Sequence, residues 1–112
     1  MIRNITKKKV LMPKSAIMRS YFQKSTGLML RTKVEKALVF PYGAPKKMAI
    51  HMFLVFVPID IIFLNDKNRV VEIAENIIPF SFYLSKNKAS TFIELPKGAA
   101  HGSRVGDLIK IN

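Results

Sequence analysis

Cysteine is absent from this chain of 112 residues. Without cysteine the protein can form neither a disulfide framework nor a thiolate metal site, and the absence is typical of a reducing compartment. The first residues contain no apolar run of signal-peptide length, so we expect a cytoplasmic protein. Glycine-rich loops of the GxxxxGKS/T and GxGxxG types are also missing, which argues against nucleotide hydrolysis and dinucleotide chemistry.

Acidic residues are scarce, and the positive charge is uneven along the chain. Nineteen Lys and Arg against seven Asp and Glu give a formal net charge of +12. Residues 1–47 contain 12 cations and one acid, or +11, whereas residues 48–112 contain 7 cations and 6 acids, or +1. This asymmetry is typical of a surface that meets a polyanion, either nucleic acid or an anionic membrane face. A solvated basic face that only maintains solubility is the alternative.

Nucleic acid, with RNA favoured, is the polyanion that we expect this surface to bind. The evidence is electrostatic alone, because the aromatic pattern of an RNA-recognition motif is absent. The candidate contacts are cations of the basic half, namely Lys7, Lys8, Lys9, Lys14, Arg31, Lys46 and Lys47.

Apolar residues are plentiful, at 49% of the chain against 23% charged. This composition excludes the intrinsically disordered class, in which charge dominates over apolar content. The length suffices for one hydrophobic core and not for two. We therefore expect one folded domain that spans residues 1–112.

Short apolar runs separated by Pro, Gly and polar turns predict a mainly β fold of the α+β class. The clearest pair is formed by residues 59–64 and 70–73, which flank a polar turn and predict a β-hairpin. Residues 50–57 predict a strand that is buried on both faces. Many short strands, mostly antiparallel, favour a small, partly closed β-barrel.

One helix is expected near the N-terminus. Ser15 is a suitable N-cap and Gly27 a suitable stop. Between them, Ile17, Met18, Tyr21 and Phe22 have the spacing that places side chains on one helical face.

Residues 48–64 are apolar enough for a transmembrane helix to be the alternative to strands. The run has 17 residues, fewer than the roughly 20 that a bilayer core requires. Pro58 interrupts it, and His51 and Asp60 would lie in hydrocarbon, where a charged acid costs about 3 kcal/mol. We therefore expect two strands joined near Pro58 and no transmembrane segment.

Five collinear motifs resemble a prokaryotic family known as domain of unknown function 192, or uncharacterised protein family 0127. They are GLMLR at 27–31, PIDIIFL at 58–64, NIIP at 76–79, ELPKG at 94–98 and VGDLIKI at 105–111. The resemblance covers nearly the whole chain after residue 10. It implies a compact, largely β domain with a helix near the N-terminus, and it implies no established activity.

The candidates for a binding pocket are four polar residues, Asp60, His51, Asn76 and Glu94. A carboxylate between two isoleucines must be hydrogen-bonded or open onto a cleft. Asp60 therefore either orients a ligand or anchors backbone N–H groups, and we favour the anchor. If the fold brought His51 beside Asp60 or Glu94, the pair would suit acid–base chemistry.

Three functions remain open at this point. The first is a non-catalytic binding module with a basic surface for a polyanion such as RNA. The second is a small-molecule or peptide binding domain with a pocket near Asp60. The third, a hydrolase or isomerase that uses His51 or His101 with a carboxylate, has the least support because no nucleophile motif accompanies the histidines. We expect no cofactor, no metal site and no catalytic residue, and a monomer or weak homodimer.

Overall fold

The computed structural model describes residues 1–19 and 32–112, and within these residues it contains ten β-strands and no helix. The strands occupy β-branched and aromatic runs, most of which end at Pro, Gly or polar turns. In chain order they are β1 (Ile2–Asn4), β2 (Lys9–Met12), β3 (Ser15–Ile17), β4 (Ala37–Lys46), β5 (Ala49–His51), β6 (Ile59–Leu64), β7 (Val70–Ile77), β8 (Phe82–Leu84), β9 (Ala89–Pro96) and β10 (Ile109–Ile111). The mainly β prediction is confirmed.

A five-stranded sheet in the order β3-β4-β9-β6-β7 is the central layer. Its neighbouring strands are antiparallel, except that β3 and β4 are parallel. All six positions of β6 are buried, because β7 and β9 flank it and other layers cover both of its faces. A nearly continuous apolar run is the pattern that such a strand requires.

Side chains of the central sheet alternate between two hydrophobic clusters, as the two-residue period of a strand dictates. On one face, Ile62 and Ile93 belong to a cluster that includes residues of the three-stranded sheet β10-β1-β2. On the other face, Ile61 and Phe92 belong to a cluster with residues of the two-stranded sheet β5-β8. The second covering layer, residues 46–57 and 78–88, is called the outer layer below.

Two finer predictions about the fold are wrong. Ser15 does not begin a helix, because Ser15–Ile17 forms β3 and pairs in parallel with β4 from Ala37 onward. The rest of that prediction, including Tyr21, Phe22 and Gly27, lies outside the described residues. The partly closed barrel is not formed either, since the three sheets stack as layers and β3 and β7 end the central sheet within the part of the chain described.

The hairpin of residues 59–64 and 70–73 is confirmed by the antiparallel pairing of β6 with β7. The strand predicted at 50–57 is mostly wrong, because β5 ends at His51 and both Phe53 and Phe56 are exposed. Residues 48–64 thus form β5, a loop and β6. No helix of the described residues is long and apolar enough to cross a membrane.

Candidate functional site

Asp60 lies on β6 and is almost completely buried. Its Oδ1 accepts a hydrogen bond from the backbone N–H of Asn76 at 2.9 Å. Its Oδ2 accepts from the backbone N–H groups of Gly98 at 2.9 Å and Ala100 at 3.0 Å. The carboxylate therefore ties the end of β7 and the turn after β9 to the central sheet, where Asn76 and Gly98 both adopt positive φ. A ligand-binding role for Asp60 and Asn76 stays a prediction.

Glu94 lies on the central strand β9, between Leu38 of β4 and Ile61 of β6 in the register. It is only 6% exposed, and desolvation raises the pKa of its carboxyl to about 8. Burial, followed by the charge of Glu94, raises the pKa of Tyr42. Among the described residues none donates a hydrogen bond to this carboxylate. Glu94 is therefore neutral over much of the physiological range.

The structure does not bring the predicted acid–base partners together. Register places Glu94 with Ile61 on one face of the central sheet, whereas Asp60, opposite Leu95, points to the other face. His51 is exposed on β5, in the outer layer. His101 lies 3.9 Å from Glu75, measured from Nδ1 to Oε2, and both side chains are exposed, so solvent weakens any charge interaction between them.

The N-terminal lysines lie mainly in the turn between β1 and β2. Lys7 forms an ion pair with Asp107 at 3.1 Å. Burial alone would raise the pKa of Asp107, but hydrogen bonds from Asn4 and Arg104 and the Lys7 ammonium lower it. The positive charge of Lys7 is therefore partly neutralised.

A cavity of about 410 Å³ lies beside this turn and is lined by Arg3, Asn4, Ile5, Lys8, Lys9 and Val10. Lys9 Nζ also donates to the backbone oxygen of His101 at 3.3 Å. Lys14 is the residue before β3, and its carbonyl accepts a hydrogen bond from the N–H of Ala37 at 2.8 Å. Arg31 lies outside the described residues.

Strand register brings three cationic connections to one end of the central sheet. Lys46 of β4 pairs with Ala89 at the start of β9. Leu64, at the end of β6, pairs with Val70 of β7 and Thr91 of β9. The connections that follow β4, join β6 to β7, and join β8 to β9 therefore lie at the same end. Their exposed cations, called the basic end below, are Lys46, Lys47, Lys67, Arg69, Lys86 and Lys88.

Four of these six cations come from residues 48–112, the half whose net charge is only +1. Asp66 is the one exposed acid in the three connections. No ion pair joins the basic end to a carboxylate within residues 1–19 and 32–112. The comparison of net charge between the two halves of the sequence did not predict this cluster. Strand pairing brings the connections together, although they are far apart along the chain.

Glu72 of β7 fixes the connection between β8 and β9. Its Oε1 accepts from the N–H groups of Lys86 at 2.8 Å and Asn87 at 2.9 Å, and the Tyr83 hydroxyl donates to Oε2. Burial would raise the pKa of Glu72, but these hydrogen bonds lower it. Burial and the bond to Glu72 in turn raise the pKa of Tyr83 to about 12. The backbone of the lysine-rich connection is thus held against the central sheet.

Comparison with known proteins places the chain among uncharacterised relatives. A UPF0127 protein of Thermococcus sibiricus is 36% identical over 113 residues, which cover 97% of this chain and 73% of that protein. A UPF0127 protein of Thermococcus kodakarensis is 35% identical, over 97% of this chain and 71% of its own length.

A similar fold is known from a crystal structure of a protein of unknown function from Novosphingobium aromaticivorans. That chain is 27% identical, with a TM-score of 0.79, and the match covers 87% of this chain and 74% of the other. The family model for domain of unknown function 192, described as Uncharacterized ACR, matches residues 3–111. The motifs identified in the sequence are thus accounted for, and the chain belongs to the domain of unknown function 192 family.

Proposed function

We propose that this protein is a non-catalytic binding module that engages a polyanion, RNA above all, through the basic end. The observation that carries this proposal is the convergence of six exposed cations from three connections around a single exposed acid. We propose that it acts in the cytoplasm as a single folded domain. A catalytic function has less support, because His51 and Glu94 lie in different layers.

Phosphate binding by such a surface is driven by the release of condensed counterions, so each lysine that meets a phosphate contributes to the salt dependence of affinity. The six cations belong to separate connections, and the strand ladders between them hold those connections in place. A preorganised cluster loses less conformational entropy on binding than lysines on a disordered tail. This favours binding at the basic end over diffuse attraction by the whole surface.

Affinity for RNA is expected to fall by roughly two to three orders of magnitude between about 50 and 200 mM salt, if around five phosphates are engaged. Fluorescence anisotropy of a labelled RNA at both salt concentrations measures this change. Heparin serves as the competitor. Binding that heparin removes at charge equivalence, or no binding at the lower salt, would contradict the proposal.

Two variants, each with three lysines replaced, test whether RNA binds at the basic end. Changing Lys67, Lys86 and Lys88 to Gln is expected to reduce the slope of log affinity against log salt by about 2 to 3. The control changes three exposed lysines next to the opposite end of the central sheet, Lys14, Lys36 and Lys97, to Gln. Both variants lose the same net charge, so equal losses of slope would show that binding is diffuse and not placed at the basic end.

A further inference from the structure

The outward face of the two-stranded sheet is apolar where an exposed strand is usually polar. On β8, Phe82 is 70% exposed and Leu84 is 60% exposed. Tyr83, which lies between them, points inward and packs against the hydrophobic cluster that contains Ile61 and Phe92. Its hydroxyl donates a hydrogen bond to Glu72. Alternation therefore places large apolar groups toward solvent at every outward position of β8.

This apolar surface continues beyond β8. Phe53 and Phe56 follow β5, and Phe80 precedes β8. The backbone bonds from Met52 N–H to the Ser81 oxygen at 2.7 Å and from Phe80 N–H to the Met52 oxygen at 2.9 Å join the two segments. The rings of Phe56 and Phe80 pack edge to face with centroids 5.5 Å apart. The exposed apolar residues, called the aromatic face below, are Phe53, Phe56, Ile78, Phe80, Phe82 and Leu84.

Phe80 has a φ of +61°, a conformation that bulky residues rarely adopt. Phe80 is nevertheless 60% exposed, so burial of the residue does not compensate for this backbone geometry. Monomeric proteins seldom expose contiguous apolar patches of this kind unless the patch binds something. Contacts within the described residues therefore do not explain why the apolar side chains of the aromatic face are exposed.

The aromatic face adjoins the basic end. The outer layer, residues 46–57 and 78–88, contains no Asp or Glu and four lysines. Lys47 and Lys86 lie two residues beyond the paired residues Ala49 and Leu84, where the aromatic face begins. Anionic and apolar groups of one ligand would thus meet cations and aromatic rings on the same side of the molecule.

We propose that the aromatic face binds unpaired bases, so that the polyanion of the basic end is a single-stranded nucleic acid. This inference rests on the proposed function and names its ligand class. Aromatic side chains next to a cationic track bind single strands of any sequence, because every base has a π-face. The outward positions of β8 are about 7 Å apart, roughly twice the 3.4 Å rise per base of a duplex strand. Such spacing suits splayed bases, whereas a duplex keeps its bases stacked and inaccessible.

Two other occupants fit the surface less well. A second copy of this chain, with a net charge of +12, would bring two basic ends close together at a symmetric contact. Membrane interfaces are enriched in Trp and Tyr, but this chain has no tryptophan, and the Tyr83 hydroxyl turns inward to Glu72.

His51 pairs with Phe82 across the ladder and adds a second ring to the outward face.

The double variant Phe80→Ala with Phe82→Ala tests the inference, because both side chains are largely exposed and their loss leaves the core intact. The probes are a labelled 15-nucleotide oligouridine, a 15-base-pair RNA duplex, and vesicles of phosphatidylglycerol with phosphatidylcholine. We expect affinity for oligouridine to fall about 5- to 100-fold for each base that loses a stacking partner. Duplex affinity and the salt slope should stay unchanged. Phe82→Tyr, which keeps the ring, should bind oligouridine as the unmodified protein does.

The outcomes separate this inference from the proposed function. If the alanine variant binds oligouridine as tightly as the unmodified protein, or loses equal affinity for duplex, the base-stacking inference is overturned while RNA binding at the basic end stands. Vesicle binding that depends on Phe80 and Phe82, with RNA binding unaffected, would reassign the face to a lipid surface. Failure of both RNAs to bind at low salt would overturn the proposed function together with the inference.

Discussion

Replacing Asp60 with alanine is expected to lower the free energy of unfolding by about 3–5 kcal/mol. Three backbone N–H groups, those of Asn76, Gly98 and Ala100, would lose a charged acceptor in a nearly solvent-free position. Hydrogen bonds to charged groups contribute about 1.5–3 kcal/mol each. Alanine also removes the cost of burying the carboxylate charge, so the net loss is smaller than the sum of the three bonds. Urea denaturation followed by far-UV circular dichroism at pH 7 measures the change.

Two comparisons make the Asp60 result specific. Asp66→Ala removes an exposed acid from the β6–β7 turn and should alter stability by no more than about 0.5 kcal/mol. Asp60→Asn keeps one acceptor oxygen but turns an NH₂ group toward backbone donors. The stability that this variant loses should therefore lie between the losses of Asp66→Ala and Asp60→Ala. A loss below about 1 kcal/mol in Asp60→Ala would mean that water replaces the carboxylate, and the anchoring role would be rejected.

Replacing Glu94 with glutamine is expected to stabilise the protein at alkaline pH by several kcal/mol, on the order of 4–5 at pH 9. Burial raises the pKa of Glu94 to about 8 in the folded state, from about 4.3 for an unperturbed glutamate. The folded state therefore binds the proton more tightly than the unfolded chain does. The stability that this proton provides is complete below about pH 4 and is lost as the pH rises toward 8. Glutamine is neutral throughout and avoids the loss.

Unfolding measured from pH 4 to 9 tests the Glu94 prediction. The unmodified protein should lose stability across this range, and Glu94→Gln should lose much less. Glu75→Gln, which changes an exposed glutamate, should follow the unmodified protein. The lowered pKa values of Glu72 and Asp107 affect stability in a separate, more acidic window, because that stabilisation is lost only as the pH falls through those values. Parallel curves for the unmodified protein and Glu94→Gln would contradict the prediction.

Much of the central sheet could be predicted from local sequence. The hairpin of β6 and β7 follows from two apolar runs around a polar turn, and these runs form two of the five strands of the sheet. The prediction of a helix from Ser15 is wrong because only a few apolar residues carried the pattern, and two of them, Ile17 and Met18, lie in or next to β3, which pairs with β4. That pairing joins residues more than 20 positions apart, and such long-range contacts leave no local periodicity.

The candidate site was predicted only in part. The need to satisfy the Asp60 carboxylate is evident from its apolar neighbours, but its partners come from three distant positions. The apolar residues at 50–57 predicted a buried strand, yet Phe53 and Phe56 are exposed. Hydrophobicity along a chain indicates which residues favour burial and does not indicate whether the fold has room to bury them.

The sequence by itself determined the class of the fold, the identity of the family and the large excess of positive charge. These are properties of composition, local pattern and motif, which do not depend on how the strands pair. Only the tertiary structure decided that the cations of three connections share one end and that an aromatic face lies beside them. Strand register sets those neighbours, and register results from packing of the whole core, where residues far apart in sequence become adjacent.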